Sequence, residues 1–319
     1  MSSDRDSSVR AQCAAAVLMV RPARFGFNAQ TAASNRFQRD VGSAASPAQA
    51  LQEFADFAGA LAATGVRCCI IDDTREPPKP DAIFPNNWVS FHDDGTIVLY
   101  PMQAANRRLE RRMDVLAAVE RELGFHCRHL LDLSGEEQHG RFLEGTGSLV
   151  LDHVERVAYA CRSPRTDADL VREWSRSMRY EAELFDASGE DGSPIYHTNV
   201  LLAIGARSAV LCSDAVAPAD RARLRARLQS SRQALIEIDR RALREFAGNV
   251  LELSSPSGSS PVQTLLVMSA RARAALGADQ WHQINDAVDR VLIAPVPTIE
   301  TLGGGGTRCM LAEVPEVVA

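Results

Sequence analysis

Three residues of the 319-residue chain, Cys309, His197 and Glu144, could together perform covalent thiol chemistry. A thiolate attacks an electrophilic carbon, an imidazole within reach takes and returns the proton, and a carboxylate orients substrate or steers that proton. Singly, each has an ordinary explanation. A lone cysteine is usually a small buried hydrophobe, a lone histidine a satisfied structural residue, and Glu before Gly-Thr-Gly a surface turn. Their positions are the informative feature, because each follows the opening of a segment of one recurring build. The openings are Phe84 (FPNNWVSF), Phe142 (FLEGTGSLVL), Tyr196 (YHTNVLLAI), Phe246 (FAGNVLEL) and Leu302 (LGGGGTRCMLAEV), about 50–58 residues apart. They carry Asn86 and Asn87, Glu144, His197 and Asn199, Asn249, and Cys309. The glycines at 303–306 give a backbone that can approach a ligand closely. They lack the GK[ST] ending and the following helix of a phosphate loop.

The stretch of chain after each opening must position these groups, and it too is regular. After FPNNWVSF come the turn Asp93-Asp94-Gly95, the strand TIVLY, a helix over about 105–123 and the strand RHLLDL. After GSLVLD come a turn near His153, RVAYAC, a helix over about 166–178 and YEAELF. NVLLAI leads through Gly205 to SAVLC, a helix from Pro218 and ALIEID. NVLEL leads through a Ser/Gly/Pro loop at 254–261 to QTLLVM, helical sequence to about 290 and VLIAPV. The unit is strand–turn–strand–helix–strand, complete four times between 84 and 296. The fifth is split: RCMLAEV must find AAAVLMV at 14–20, which leads to a helix opened by Ser46-Pro47, stopped by Gly65, and then to VRCCIID. Leu51, Phe54, Ala58 and Leu61 form its expected inner face, and Leu109, Met113, Leu116 and Val119 that of the 105–123 helix. Five such units predict an α/β propeller with pseudo-fivefold symmetry. Closing the ring on its own ends removes exposed sheet edges and gathers the openings at a central hub.

Composition narrows the function classes. Hydrophobics make up 45% and charged residues 24%, the proportions of a globular chain. No apolar run approaches about 18 residues, so no membrane span is expected. A formal charge of −6 does not suit a nucleic-acid binder, which must neutralise phosphates. The arginine clusters near 107–112, 221–227 and 271–273 read as solvated helix faces. Seven cysteines without Cys-x-x-Cys spacing, two of them (Cys68 and Cys69) facing opposite ways along one strand, argue against a disulfide framework or a structural zinc site. MSSDRDSSVRAQ lacks the layout of a signal peptide. The expectation is a flexible tail at 1–12 and one catalytic domain at 13–319 in a reducing, cytoplasmic setting, for which a homo-oligomer is compatible.

In this order and spacing, FPNNWVSFH with YPM and RRLERR, then LEGTGSLV, YHTNV and the terminal GGGGTRCM resemble the guanidine-modifying (pentein) superfamily. Its members include arginine deiminases, dimethylarginine dimethylaminohydrolases and amidinotransferases. The resemblance covers essentially residues 14–315 and is closest to the arginine-deiminase-related, citrulline-utilisation hydrolase branch. It implies the pentein fold, a small amino-acid substrate and neither metal nor organic cofactor. It also implies Cys309 as nucleophile, His197 as general acid/base and Glu144 as the residue binding guanidine nitrogens. Asn87 stands where deiminases carry a guanidinium-binding Asp, with Asn86 beside it, and Asn199 stands where they carry a second Asp. Arg107 or Arg108 lies near the arginine that pairs with the substrate carboxylate. A buried cation needs paired charge, whereas the two asparagines offer neutral amides. They suit the ureido group of citrulline, giving ornithine, ammonia and carbon dioxide. The alternatives are arginine deiminase or dimethylarginine dimethylaminohydrolase activity, or a non-catalytic binding protein of this fold.

Overall fold

The computed structural model describes residues 9, 12–42, 46–257 and 260–317. They form a mixed α/β fold whose fifteen strands make five three-stranded sheets. β3 (Val89–Phe91), β4 (Thr96–Leu99) and β5 (His129–Asp132) form one sheet, and β6 (Val150–Asp152), β7 (Val157–Cys161) and β8 (Glu181–Phe185) the next. β9 (Leu202–Ile204), β10 (Ser208–Leu211) and β11 (Ala234–Glu237) form the third, and β12 (Leu251–Ser257), β13 (Ser260–Ser269) and β14 (Arg290–Ala294) the fourth. In each, the first two strands pair antiparallel and the second and third pair parallel across a helix. A parallel crossover needs such an intervening element.

The split fifth unit assembles as its sequence requires. β1 (Ala16–Arg21) pairs antiparallel with β15 (Ala312–Val314), Ala16 opposite Val314, and parallel with β2 (Arg67–Asp72). The chain ends are therefore joined in one sheet, which flanks Ala16, Val17 and Leu18 of β1 on both sides. Cys68 and Cys69 face opposite sides of β2, each packing into a different apolar cluster. First strands of different sheets touch, β15 against β3, β6 against β9 and β9 against β12. Their residues are almost entirely buried, while the third strands carry the exposed edges, as in β5. Among the described residues, no helix is long and apolar enough to cross a membrane.

Local punctuation follows the sequence. Ser46 caps the helix Pro47–Ala62 in a capping box with Gln49. Asp167 caps Ala168–Met178, and Gly124, in the left-handed region at φ 71°, ends Met113–Leu123.

Several expectations need correction. The 105–123 helix is two elements, a 3₁₀ segment Ala105–Glu110 and an α-helix Met113–Leu123, joined by extended backbone. Tighter winding followed by a break resets the facing of side chains. Leu109 and Met113 are consequently exposed, and the inner face is Val115, Leu116, Ala118 and Val119. Leu51 also faces out, since the stripe of the first helix runs through Ala50, Phe54, Phe57, Ala58 and Leu61. The described residues of the Ser/Gly/Pro stretch at 254–261 extend the β12–β13 pairing, with Ser257 opposite Ser260, because cross-strand pairing satisfies their backbone. Most of the expected 1–12 tail lies outside the described residues. Its Gln12 is buried and donates to Leu151 O and Ile204 O.

Candidate active site

Four of the openings place single helical turns in front of the first strands: Pro85–Asn87, Gly145–Ser148, Thr198–Val200 and Thr307–Met310. The first of these touches the second and fourth, and the second touches the third. Short turns of this kind aim side chains sideways from buried strands. Gly145 makes the approach feasible, since a Cβ there would stand 2.2 Å from Asn86 O. Gly147 lies between Asn87 and His197 in the same way.

The turns and their neighbours enclose a cavity of about 10 Å³ lined by Asn87, Arg107, His197 and Cys309, with Asp81, Arg165, Tyr196 and Gly303–Gly305 completing the wall. That is room for about one water molecule. The segment from Asn28 to Gln38 closes the cavity. Asn28 and Thr31 donate to Asp81 Oδ2 at 2.8 and 3.1 Å, and Asn35 donates to Gly303 O and Gly304 O at 3.3 Å.

Glu144 is fully buried, and both its oxygens are engaged. Oε1 accepts from the Gln103 N–H at 3.0 Å, and Oε2 lies 2.9 Å from His197 Nε2. Burial pushes its carboxyl up, but Arg165, the His197 hydrogen bond and Arg107 outweigh that and hold it at about 2. An ionised Glu144 accepts the Nε2–H and leaves Nδ1 as the basic nitrogen of the ring. Burial lowers the imidazole to about 4, against the pull of Glu144, so it rests neutral. The resemblance implied that Glu144 binds substrate; in the structure its Oε2 meets His197 Nε2.

Arg107 is buried and grips Glu110 through two hydrogen bonds of 2.9 Å, while its Nη1 donates to Asn87 Oδ1 at 2.8 Å. Burial acts to lower its affinity for the proton, but Glu110 and Asp81 prevail and raise it. Arg108 points elsewhere, to Met102 O and Glu137, so of the two neighbours only Arg107 lines the cavity. Asn86 turns toward Thr146, 3.4 Å away, and is not part of the wall. Asn199 and Asn249 face the Cys309 sulfur, with Nδ2 at 3.8 and 3.3 Å. Burial raises the Cys309 thiol, and the two amides draw it back. Cys309 and His197 both line the cavity, and no hydrogen bond joins them.

Two charged residues of the wall escaped the sequence reading. Arg165 has Nη1 3.4 Å from Glu144 Oε2, donates to Thr31 O and Ser34 Oγ, and lies 4.9 Å from the Tyr196 ring centroid. It sits in a connection after β7 and carries no motif. Asp81 has Oδ1 buried without a partner, and burial raises its carboxyl against the pull of Arg107. Its one sequence signal was its place three residues before Phe84 in the same opening segment, DAIFPNN.

Comparison with known proteins bears on this constellation. No curated protein sequence matches the chain. The N-terminal domain of ArgZ, an arginine dihydrolase from cyanobacteria, superposes in a substrate-bound cysteine-to-serine form with a TM-score of 0.72 at 15% identity, covering 95% of this chain and 99% of that one. Unliganded AgrE gives a TM-score of 0.72 at 16% identity, covering 95% of this chain, which spans only 40% of AgrE. DDAH from Pseudomonas aeruginosa, complexed with citrulline, gives 0.65 at 14% identity, covering 94% and 99%. Residues 21–316 match the family described as N,N dimethylarginine dimethylhydrolase, eukaryotic. A match over that span, on this fold, makes the chain a member of that family within the pentein superfamily and a hydrolase of C–N bonds other than peptide bonds.

Proposed function

We propose that the protein hydrolyses citrulline at its ureido carbon, giving ornithine, ammonia and carbon dioxide, with Cys309 as nucleophile and His197 as proton carrier. The observation that carries the choice of ligand is the fixed orientation of the Asn87 amide. Its Oδ1 accepts from Arg107 at 2.8 Å, so its Nδ2 is the end left over, buried in the wall without a partner. Flipping the amide would set its N–H groups against a guanidinium. A buried donor without a partner costs about 1–3 kcal/mol. A ureido oxygen answers it, whereas a guanidinium presents only further N–H groups. The orphaned Asp81 Oδ1 suits the substrate ammonium, and Arg165 its carboxylate.

In the reaction, the thiol proton passes to His197 Nδ1 and sulfur attacks the ureido carbon. The tetrahedral adduct loses ammonia, which takes its proton from His197, leaving an S-carbamoyl enzyme. Water, deprotonated by the same histidine, releases the N-carboxy amine, which loses carbon dioxide to give ornithine, and the thiol regains its proton. Admission of an amino acid to so small a cavity requires the 28–38 segment to swing away. Support for the architecture of the site comes from the joined chain ends and the touching first strands. On this reading the five sheets form a pseudo-fivefold propeller within one domain, 13–319, with the reacting groups at its hub.

Arginine is the second reading, favoured by Asp81, whose carboxylate could meet a guanidinium. ArgZ is described as an arginine dihydrolase, whereas the Pseudomonas DDAH crystal holds citrulline. Measuring kcat/KM for both amino acids in wild type and Asn87→Asp tests the choice. Exchanging the donor for an acceptor should lower activity on citrulline about tenfold or more and improve arginine relative to it. A wild-type preference for arginine, or an unchanged ratio, would refute the citrulline assignment. Mass spectrometry of protein trapped during turnover should find the adduct on Cys309.

A further inference from the structure

We infer that Asn249, seconded by Asn199, holds the Cys309 sulfur in its reactive form, so that the thiolate is hydrogen-bonded by neutral amides rather than by a cation. The inference rests on Cys309 being the nucleophile, as proposed above. It moves Asn199 from a substrate contact to a partner of the sulfur.

The three residues are buried together. The Asn249 amide is locked from both ends. Its Oδ1 accepts from the Gly306 N–H at 3.1 Å, and its Nδ2 donates to Asn199 O at 2.9 Å. Those contacts settle which end is nitrogen without reference to the sulfur. The second N–H of Nδ2 then has one partner, Cys309 Sγ at 3.3 Å. A donor held in place before the reaction begins costs no reorganisation as charge develops on sulfur. Asn199 Nδ2 stands behind it at 3.8 Å. When the sulfur is protonated, Asn249 Oδ1, 3.5 Å away, can accept the S–H. One amide thus serves both protonation states.

Among the described residues, Arg308 and Arg107 also favour the thiolate, but from a distance and without a hydrogen bond to the sulfur. The hydrogen-bond partners of Sγ are these two amides, and none is a Lys, Arg or His. Burial raises the thiol, and the Asn249 hydrogen bond is the largest influence opposing it, followed by Arg308, Asn199 and Arg107. The lock also ties the sulfur to the glycine run, since a Cβ at Gly306 would stand 2.9 Å from Asn249 Oδ1. This close approach is the use to which that glycine is put.

The test is the pH dependence of Cys309 alkylation by iodoacetamide without substrate, followed peptide by peptide by mass spectrometry so that the other six cysteines do not interfere. Asn249→Asp keeps an acceptor for Gly306 N–H but turns an oxygen toward sulfur. Its alkylation midpoint should rise by at least one pH unit, with kcat falling at least tenfold at neutral pH. Asn249→Ala removes the donor and should raise the midpoint less. Asn199→Ala should raise it least and leave KM for citrulline within about threefold. The midpoint, unlike the rate, does not depend on how easily the reagent enters. Thermal unfolding identifies the folded variants. If Asn249 variants do not fold, Asn199→Ala alone must still raise the midpoint. Midpoints unchanged from wild type in the folded variants would overturn the inference. A wild type that turns over neither amino acid would instead refute the proposed function, and the alkylation series would still decide this point.

Discussion

Gly147→Ala should remove most activity while leaving the protein folded. Gly147 lies in the turn between Glu144 and β6, and its φ is not positive, so alanine fits the backbone. The new methyl does not fit the site. It would stand 2.5 Å from Asn87 Nδ2 and 2.7 Å from His197 Nδ1, where ordinary contact begins at 3.4 Å. Both side chains must retreat, Asn87 by about 0.9 Å and His197 by about 0.7 Å. Neither is a loose end, because Asn87 is held by Arg107 and His197 by Glu144. Misplacement of about 1 Å can cost roughly 10²-fold in rate, whereas overpacking of this size costs about 1–3 kcal/mol of stability. The assay is kcat/KM for citrulline and arginine by ammonia release, beside a thermal melt. Gly59→Ala serves as control, since a Cβ there meets nothing within 4 Å and its helix should gain about 1 kcal/mol. A folded Gly147→Ala enzyme within threefold of wild type would refute the placement of Asn87 and His197 at the reacting centre.

Cys309→Ser should fold normally and lose nearly all turnover, because a hydroxyl ionises far less readily than a thiol, while alanine at exposed Cys127 should change nothing measurable. Asp81→Asn should raise KM about tenfold or more with a smaller change in kcat, since it weakens the acceptor assigned to the substrate ammonium; an unchanged KM would remove Asp81 from the binding site. Arg107→Ala should abolish activity and Arg108→Ala preserve it, because only the first holds Asn87. The contributions of His197 and His92 to stability should fall on acidification below pH 6.5. Burial lowers His197 to about 4 and His92 to about 3, so in this window the unfolded chain binds protons that the folded one refuses. Glu110, Glu252 and Glu300, which burial raises to about 7, act in the opposite sense between pH 7 and 4.5. Glu144, held at about 2, adds a further decline below pH 4.5. Histidine ring signals of His197 and His92, followed by NMR, that titrate near 6.5 in the folded protein would contradict the neutral burial of these imidazoles.

The recurring unit was legible in the sequence because it is a local matter of alternating strands, turn residues and capped helices. The pairing of β1 with β15 followed once four complete units left two unmatched strands. Cys309, His197 and Glu144 could be singled out because each sits at the same phase of its repeat. What a side chain does in the cavity was decided elsewhere, by what meets it there. Asn86 and Asn87 are adjacent in sequence, yet one turn of 3₁₀ helix sends the first toward Thr146 and the second into the cavity wall. Arg107 and Arg108 divide likewise, one buried on Glu110 and Asn87, the other at the half-exposed rim. Glu144 has the residue type of a substrate ligand, but a neighbouring unit supplies His197 to occupy its oxygen. Asp81, Arg165 and the cover from Asn28 to Gln38 belong to the site only because loops from separate units converge. Repetition along a chain specifies each unit and the phase of its opening residue. The distances between openings exist only after the sheets have packed, so charge pairing, access and the partners of the sulfur are properties of the assembled fold.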